Sequence, residues 1–175
     1  MKKTILFFLV FLLGLGTMTV QAQENSESTD LALYQKATKA IKDKKFVFKA
    51  NLYDDGKRYH QVNPTENYIV LEDDIVTLSC MPKDGTGHAK KGKVSNFRLK
   101  ADKGGNLHLI LSVKTYQSGF SKWNFYIDKG SNHCVVVVNP VENERGYIFI
   151  GELNPYNISD LNIPLGLNHL DRMKK

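Results

Sequence analysis

Three apolar runs between Leu107 and Asn139, separated by two short glycine-containing breaks, constrain the fold more than any other part of the chain. The runs are rich in Val, Ile, Phe, Tyr and Trp, whose β-branched and aromatic side chains pack well on a half-buried sheet. Gly119 and Gly130 supply, in the breaks, the backbone freedom that tight hairpins need. The stretch therefore predicts three antiparallel strands joined by two hairpins.

Alternation of apolar and polar residues predicts further strands on both sides of this meander. Val135 to Val138 are apolar at every position, which is typical of a strand covered on both faces. The predicted strands outside the meander are Phe46–Tyr53, Lys57–Val62, Tyr68–Leu71, Ile75–Met81, Val94–Ala101 and Tyr147–Leu153.

An amphipathic helix is predicted from Asp30 to Asp43. Apolar or small residues recur there at helical spacing, and the lysines fall mainly on the other faces. Combined with the strands, this predicts a mainly β (α+β) domain of about eight antiparallel strands. We expect a strongly curved sheet or a flattened barrel, with the N-terminal helix packed against it.

The first 22 residues have the features of a secretory signal peptide. Two lysines come first, an apolar run follows over residues 4–15, and small side chains stand at Val20 and Ala22. A membrane-spanning helix would need about 20 apolar residues. We therefore expect cleavage between Ala22 and Gln23 and an exported protein, periplasmic or extracellular. No cysteine lies near that junction, so a lipoprotein is not expected.

The sequence predicts one domain after the leader. Residues 23–29 form a polar lead-in, 30–155 the β-rich domain with its helix, and 156–175 a C-terminal tail. Without the leader's two lysines, 22 basic side chains face 18 acidic ones, a net charge of +4. A nucleic-acid reader normally carries a denser basic stripe. An unknown envelope or extracellular partner is therefore expected, and nucleic acid is not.

The chain contains two cysteines, Cys80 and Cys134, and both fall within predicted strands. In an oxidising compartment an even pair suggests a disulfide. The alternative is two separate buried thiols that pack as small apolar side chains. The sequence leaves both readings open, because a bridge requires Cα atoms within about 7 Å of each other.

The least regular segment runs from Pro82 to Lys93 and is predicted to be a flexible basic loop. Its last seven residues spell G-x-x-x-x-G-K, but Val94 stands where a phosphate-binding loop needs Ser or Thr, and a strand follows instead of a helix. We interpret the match as chance. The loop's candidate partner-contact residues are Lys83, His88, Lys90, Lys91 and Lys93.

No motif assigns chemistry to this chain. The five histidines are scattered, neither cysteine belongs to a C-x-x-C pair, and no G-x-S-x-G sequence occurs. No catalytic, cofactor-binding or metal-ligating residue is predicted. Enzymatic activity is left undecided, and a protein without it is favoured.

The order of elements resembles the exported bacterial proteins of domain-of-unknown-function family 4251. The resemblance rests on the helix, on Phe46-x-Phe48-x-Ala50, on a hairpin ending near Met81-Pro82, on a glycine-containing loop and meander, and on the closing segment Tyr147–Pro155. It covers Leu31 to Pro155. It implies export and a mainly β fold with an N-terminal helix, and it brings no established activity.

Three hypotheses about function follow. The first is a non-enzymatic binding or envelope-associated module that contacts its partner through an exposed sheet face or the Lys83–Lys93 loop. The second is a carrier of small apolar ligands, with a cavity inside the curved sheet. The third is a hydrolase with dispersed catalytic residues. The cavity of the second would be lined by residues such as Phe48, Phe97, Leu109, Trp123 and Phe125.

Overall fold

The computed structural model describes residues 28–54, 56–80, 88–115, 119–139 and 146–157. The predicted signal peptide with its cleavage site, Lys83 and nearly all of the predicted tail lie outside these residues. Helix α1 spans residues 28–42. The strands are β1 (Lys45–Asp54), β2 (Tyr59–Gln61), β3 (Tyr68–Glu72), β4 (Ile75–Cys80), β5 (His88–Ala101), β6 (Leu107–Thr115), β7 (Gly119–Ile127), β8 (His133–Asn139) and β9 (Tyr147–Pro155).

The sheet closes on itself. Strands β3 to β9 pair antiparallel with their neighbours in chain order, β3 pairs with β1, and β1 also pairs with β9. The short strand β2 pairs with the last residues of β1, on the same edge as β3. The result is a closed eight-stranded barrel with β2 as an extension, which confirms the predicted mainly β fold. Closure leaves the eight barrel strands without a free edge.

The seam between β1 and β9 depends on Gly151. The register between these strands shifts between Ala50 and Leu52, which marks a β-bulge. A Cβ atom on Gly151 would overlap the backbone carbonyl of Lys49. The absence of a side chain at Gly151 lets the backbones of β9 and β1 approach closely. A single glycine within a strand often marks such a place.

Helix α1 packs against one end of the barrel. Ala37, Ala40 and Ile41 are buried in the same core as the barrel interior. The Tyr34 hydroxyl donates a hydrogen bond to the Gly105 carbonyl in the β5–β6 turn, at 2.6 Å. The Asp73 amide in the β3–β4 turn donates one to the Lys44 carbonyl at 2.9 Å. This end is called the helix end below.

Large side chains fill the barrel interior near the helix. Phe46 and Phe48 pack edge-on against Phe125, with ring centroids 5.5 and 6.4 Å apart. Four of the five residues predicted to line a ligand cavity, Phe48, Leu109, Trp123 and Phe125, are at most 1 % exposed. Phe97 is half-buried against the same core. Side chains thus occupy the space where the sequence placed a cavity.

A smaller cluster covers the outside of the barrel at β1 and β3. Val47, Tyr68 and Val70 are buried there, and Tyr156 packs against them. Burial is the main cause that raises the pKa of the Tyr68 hydroxyl. On β8 the four consecutive valines alternate, with Val136 and Val138 buried inside the barrel and Val135 and Val137 only half-buried outside. The outer side of this strand is therefore less completely covered than the sequence predicted.

One interpretation needs correction, and the alternative left open for the two cysteines can be decided. Strand β5 begins at His88, so the segment predicted as a loop to Lys93 is a strand at its C-terminal end. Its Lys- and Gly-rich sequence lacks apolar alternation, and pairing with β4 supplies the order instead.

The Cys80–Cys134 bridge is not formed, because Cys134 is a free buried thiol. Strands β4 and β8 lie opposite each other around the barrel, with three strands between them in either direction. Cys80 is the last residue of β4 and Cys134 the second of β8, so the two also lie at opposite ends. Burial raises the pKa of the Cys134 thiol well above its ordinary value.

Candidate functional site: a basic outer face

The outward side of strands β5, β6 and β7 carries six cationic side chains. None of the residues in these three strands is Asp or Glu. Inward positions are fixed by the buried partners Val94–Val113, Leu109–Phe125 and Leu111–Trp123. A β-bulge between Val94 and Asn96 shifts the alternation on β5 by one residue, so that cations on both sides of the bulge face outward. We call this surface the basic face; its cations are Lys91, Lys93, Arg98, Lys100, Lys114 and Lys122.

Strand register places these cations in rows across the barrel. Lys93 is directly opposite Lys114, which is in turn opposite Phe120. The next rows are Asn96–Ser112–Lys122, Arg98–Ile110–Asn124 and Lys100–His108–Tyr126. Successive rows are about 7 Å apart, because each is two residues further along β6 and β7. Like charges directly opposite each other destabilise a sheet, so Lys93–Lys114 is not a pair that folding favours.

One end of the basic face carries an aromatic stack. The rings of His108 and Tyr126 lie 4.4 Å apart and 15° from parallel. The His108 Nε2 lies 3.3 Å from the Oδ1 of Asn124, whose side chain is buried although it points outward. Tyr126 remains 45 % exposed. The neighbours hold this side chain in place while nearly half of the residue stays accessible.

The other end carries Phe120. Its side chain is 54 % exposed, and the Lys114 ammonium lies 5.7 Å from its ring centroid. In the part of the chain that the structure describes, four large apolar side chains are exposed. Two of these four, Phe120 and Tyr126, therefore lie on β7 of the basic face.

The carboxylate of Asp74 borders the basic face at the β3–β4 turn. Lys44 donates a hydrogen bond to it at 2.9 Å and, with a smaller contribution from the charge of Lys93, holds the pKa of the Asp74 carboxyl below its ordinary value. The Lys44 ammonium also lies over the Phe97 ring, 5.5 Å from its centroid. Lys44 thus joins the end of α1 to this turn.

The structure separates the residues predicted for partner contact. Lys91 and Lys93 lie on the basic face. Lys90 pairs with the buried Leu78 and lies on the inward side of β5, half-buried. His88 begins β5, and Lys83 lies outside the described residues.

Sequence reasoning missed four cations and the aromatic residues of this face. Arg98, Lys100, Lys114 and Lys122 stand at every second position of strands that were correctly predicted. Counting charge on the polar side of each strand would have found them. Their alignment into one surface depends on the order of β5, β6 and β7, which the hairpins supply.

A second aromatic group lies at the barrel end away from α1. Tyr53 packs against Tyr147, Phe149 and His60, with ring centroids 6.1, 5.4 and 6.2 Å apart. Phe149 is buried, and the other three are half-buried. These contacts connect β1, β2 and β9 around the seam, so the group has a structural role in barrel closure.

The described residues offer neither a metal cluster nor a membrane-crossing helix. No group of three or more His, Cys, Asp or Glu side chains there lies close enough to hold a metal ion. Among the same residues, no helix combines the length and the apolar character required to cross a bilayer.

Comparison with known proteins supports the fold. No family model matches the chain, and no curated protein matches it. A crystal structure of a DUF4251 family protein from Bacteroides eggerthii is similar, with a TM-score of 0.63 and 23 % identity. The similarity covers 74 % of this chain and 91 % of that one. The resemblance to family 4251 inferred from the sequence is therefore confirmed at the level of the fold.

Proposed function

We propose that this protein is an exported, non-enzymatic binding module that holds an anionic partner on the basic face. The observation that carries the proposal is the segregation of charge: six cations and no carboxylate on three adjacent strands. A surface lined by one sign of charge attracts the opposite sign and raises the rate of encounter. The leader-like residues 1–22 support export, which N-terminal sequencing of secreted protein tests by finding Gln23 first.

The contrast with the helix end supports the same conclusion. There, Lys39 pairs with Asp43, Lys44 with Asp74, and His133 contacts Asp128. Cations with carboxylate partners in the same molecule have less charge to offer an external ligand. On the basic face Lys114 instead lies opposite another lysine. An external anion would relieve that repulsion.

The carrier hypothesis has weaker support. Phe48, Leu109, Trp123 and Phe125, the side chains proposed to line its cavity, pack against one another and their neighbours. A ligand pocket of ~300 Å³ or more would have to form elsewhere. Among the residues that the structure describes, no arrangement favours a hydrolase.

The test compares two charge reversals of equal size. Lys114→Glu with Lys122→Glu changes the basic face, and Lys36→Glu with Lys42→Glu makes the same net change on α1, where both lysines are exposed. Binding is measured to dextran sulfate, polygalacturonate and phosphatidylglycerol vesicles at low and at physiological ionic strength.

We expect the wild-type protein to bind at least one of these probes, more weakly as salt rises. The basic-face variant should lose tenfold or more, since each cation near an anionic surface contributes about 1 kcal/mol. The α1 variant should bind like the wild type, and both variants should melt cooperatively. Equal losses in the two variants, or no binding to any probe, would show that the basic face is not a binding site.

A further inference from the structure

We infer that the anionic partner is an acidic polysaccharide, which lies across β5, β6 and β7 with a sugar ring against Tyr126 and its acid groups on the surrounding cations. This inference rests on the proposed function and adds the chemical class of the partner. It draws on a feature that charge alone does not explain, namely the aromatic stack at one end of the basic face.

The Tyr126 ring has the properties of a stacking platform. One side of it is covered by His108 at 4.4 Å, and 45 % of the residue is exposed. The contact of His108 with buried Asn124 holds the stack in place. A ring already fixed in position loses little conformational entropy when a ligand packs on it. The C–H groups on the face of a pyranose ring make favourable contacts with such a surface.

The cations around Tyr126 are placed for acid groups on neighbouring sugars. Lys100 lies in the same row, two strands away, and Lys122 lies four residues before Tyr126 on β7. Arg98 lies in the row between these two. Rows of this kind, about 7 Å apart, can follow a polymer that carries charge at intervals along its length. Asn96 and Ser112 add hydrogen-bonding groups for sugar hydroxyls.

A membrane surface fits these observations less well. Binding at a lipid interface depends on apolar area inserted among the headgroups. The exposed rings, Phe120 and Tyr126, are six residues apart on one strand, about 20 Å at the usual rise per residue. Between them the outward positions are Lys122 and the buried Asn124. The face is polar where an inserting surface would be continuous and apolar.

Single-stranded nucleic acid also fits less well. Proteins that bind it stack successive bases on successive aromatic side chains. The distance between Phe120 and Tyr126 is too large for adjacent bases to use both. A single aromatic side chain surrounded by cations instead suits an acidic polysaccharide, which carries charge on most of its sugars and needs to stack only one of them.

The experiment measures three variants against four probes. The variants are Tyr126→Ala, Tyr126→Phe, which keeps the ring, and the double charge reversal Lys114→Glu with Lys122→Glu. The probes are polygalacturonate, dextran sulfate, phosphatidylglycerol vesicles and an oligothymidylate, and uncharged dextran serves as the control polymer. The two acidic polymers distinguish carboxylate from sulfate as the recognised group.

We expect polygalacturonate or dextran sulfate to bind and uncharged dextran not to bind. Tyr126→Ala should weaken binding to that acidic polymer about tenfold, the size typical of stacking on one ring, and Tyr126→Phe should not. The thermal midpoint of Tyr126→Ala shows separately whether the variant is folded.

The other outcomes distinguish a failure of the polysaccharide inference from a failure of the proposed function. If vesicles or oligothymidylate bind through Lys114 and Lys122 and neither acidic polysaccharide binds, the polysaccharide inference is wrong and the basic face remains a binding site. The inference is also wrong if a folded Tyr126→Ala binds the acidic polymer as well as the wild type does. If no probe binds at all, both the inference and the proposed function fail.

Discussion

The two sides of strands β5, β6 and β7 have opposite properties, although their residues alternate along the same chain. Inward side chains such as Leu109, Leu111 and Phe125 are fully buried and apolar. Outward side chains are mainly cationic, polar or aromatic, and the cations and aromatic rings are mostly exposed. The inner side can therefore determine stability, while the outer side remains available for recognition. Changes on one side should leave the property of the other nearly intact.

The largest difference in stability is expected between alanine substitutions at two neighbouring residues of β7. Phe125→Ala removes a ring that packs against Phe46 and Phe48, and should lower the free energy of unfolding by about 3–5 kcal/mol. Tyr126→Ala loses its stack with His108 and should cost at most about 1.5 kcal/mol. Urea denaturation measures both. Similar losses at the two positions would contradict the separation of the two sides.

The alternation that makes this separation also determined what the sequence could predict. Apolar side chains at every second residue of β6 and β7 predicted those strands and their inward sides. The first half of β5 was wrongly predicted as a loop, since its lysines and Gly92 carry no apolar pattern. Its partner β4 supplies the apolar residues there.

The long-range features of the fold could not be predicted from the sequence, for a different reason. Closure through β1 and β9 joins residues about a hundred positions apart, and neither strand specifies the other. An isolated glycine within a strand, such as Gly151, indicates a bulge or a close approach, but the sequence does not identify the backbone that approaches it. The sequence left open whether Cys80 and Cys134 are bridged, because only the fold determines how far apart their strands lie around the barrel.

A smaller effect, with opposite signs on stability and binding, is expected at Lys114. Lys114→Gln removes the like-charge pair with Lys93, and should raise the free energy of unfolding by about 0.2–1 kcal/mol. The lost cation–π contact with Phe120 offsets part of this gain. The same variant should bind anionic polymers more weakly and with a smaller salt dependence. A variant that is less stable and binds normally would contradict the assignment of Lys114 to recognition.

The smallest effect is expected where a lysine near the basic face does have a carboxylate partner. Lys44 hydrogen-bonds to Asp74, and the folded protein holds the pKa of Asp74 below its ordinary value of 3.8. A carboxyl with a lower pKa in the folded state stabilises the fold above its unfolded pKa, and that contribution disappears as pH falls through the folded pKa. Wild-type stability should therefore decrease as the pH is lowered from above 3.8 to below it.

Asp74→Asn should make that decrease shallower, because it removes the titrating group while keeping a side chain of similar size. Thermal melting across this pH range measures the difference between the two proteins. Identical pH dependence would mean that solvent screens this exposed pair completely. The Lys44–Asp74 pair would then contribute nothing measurable to stability.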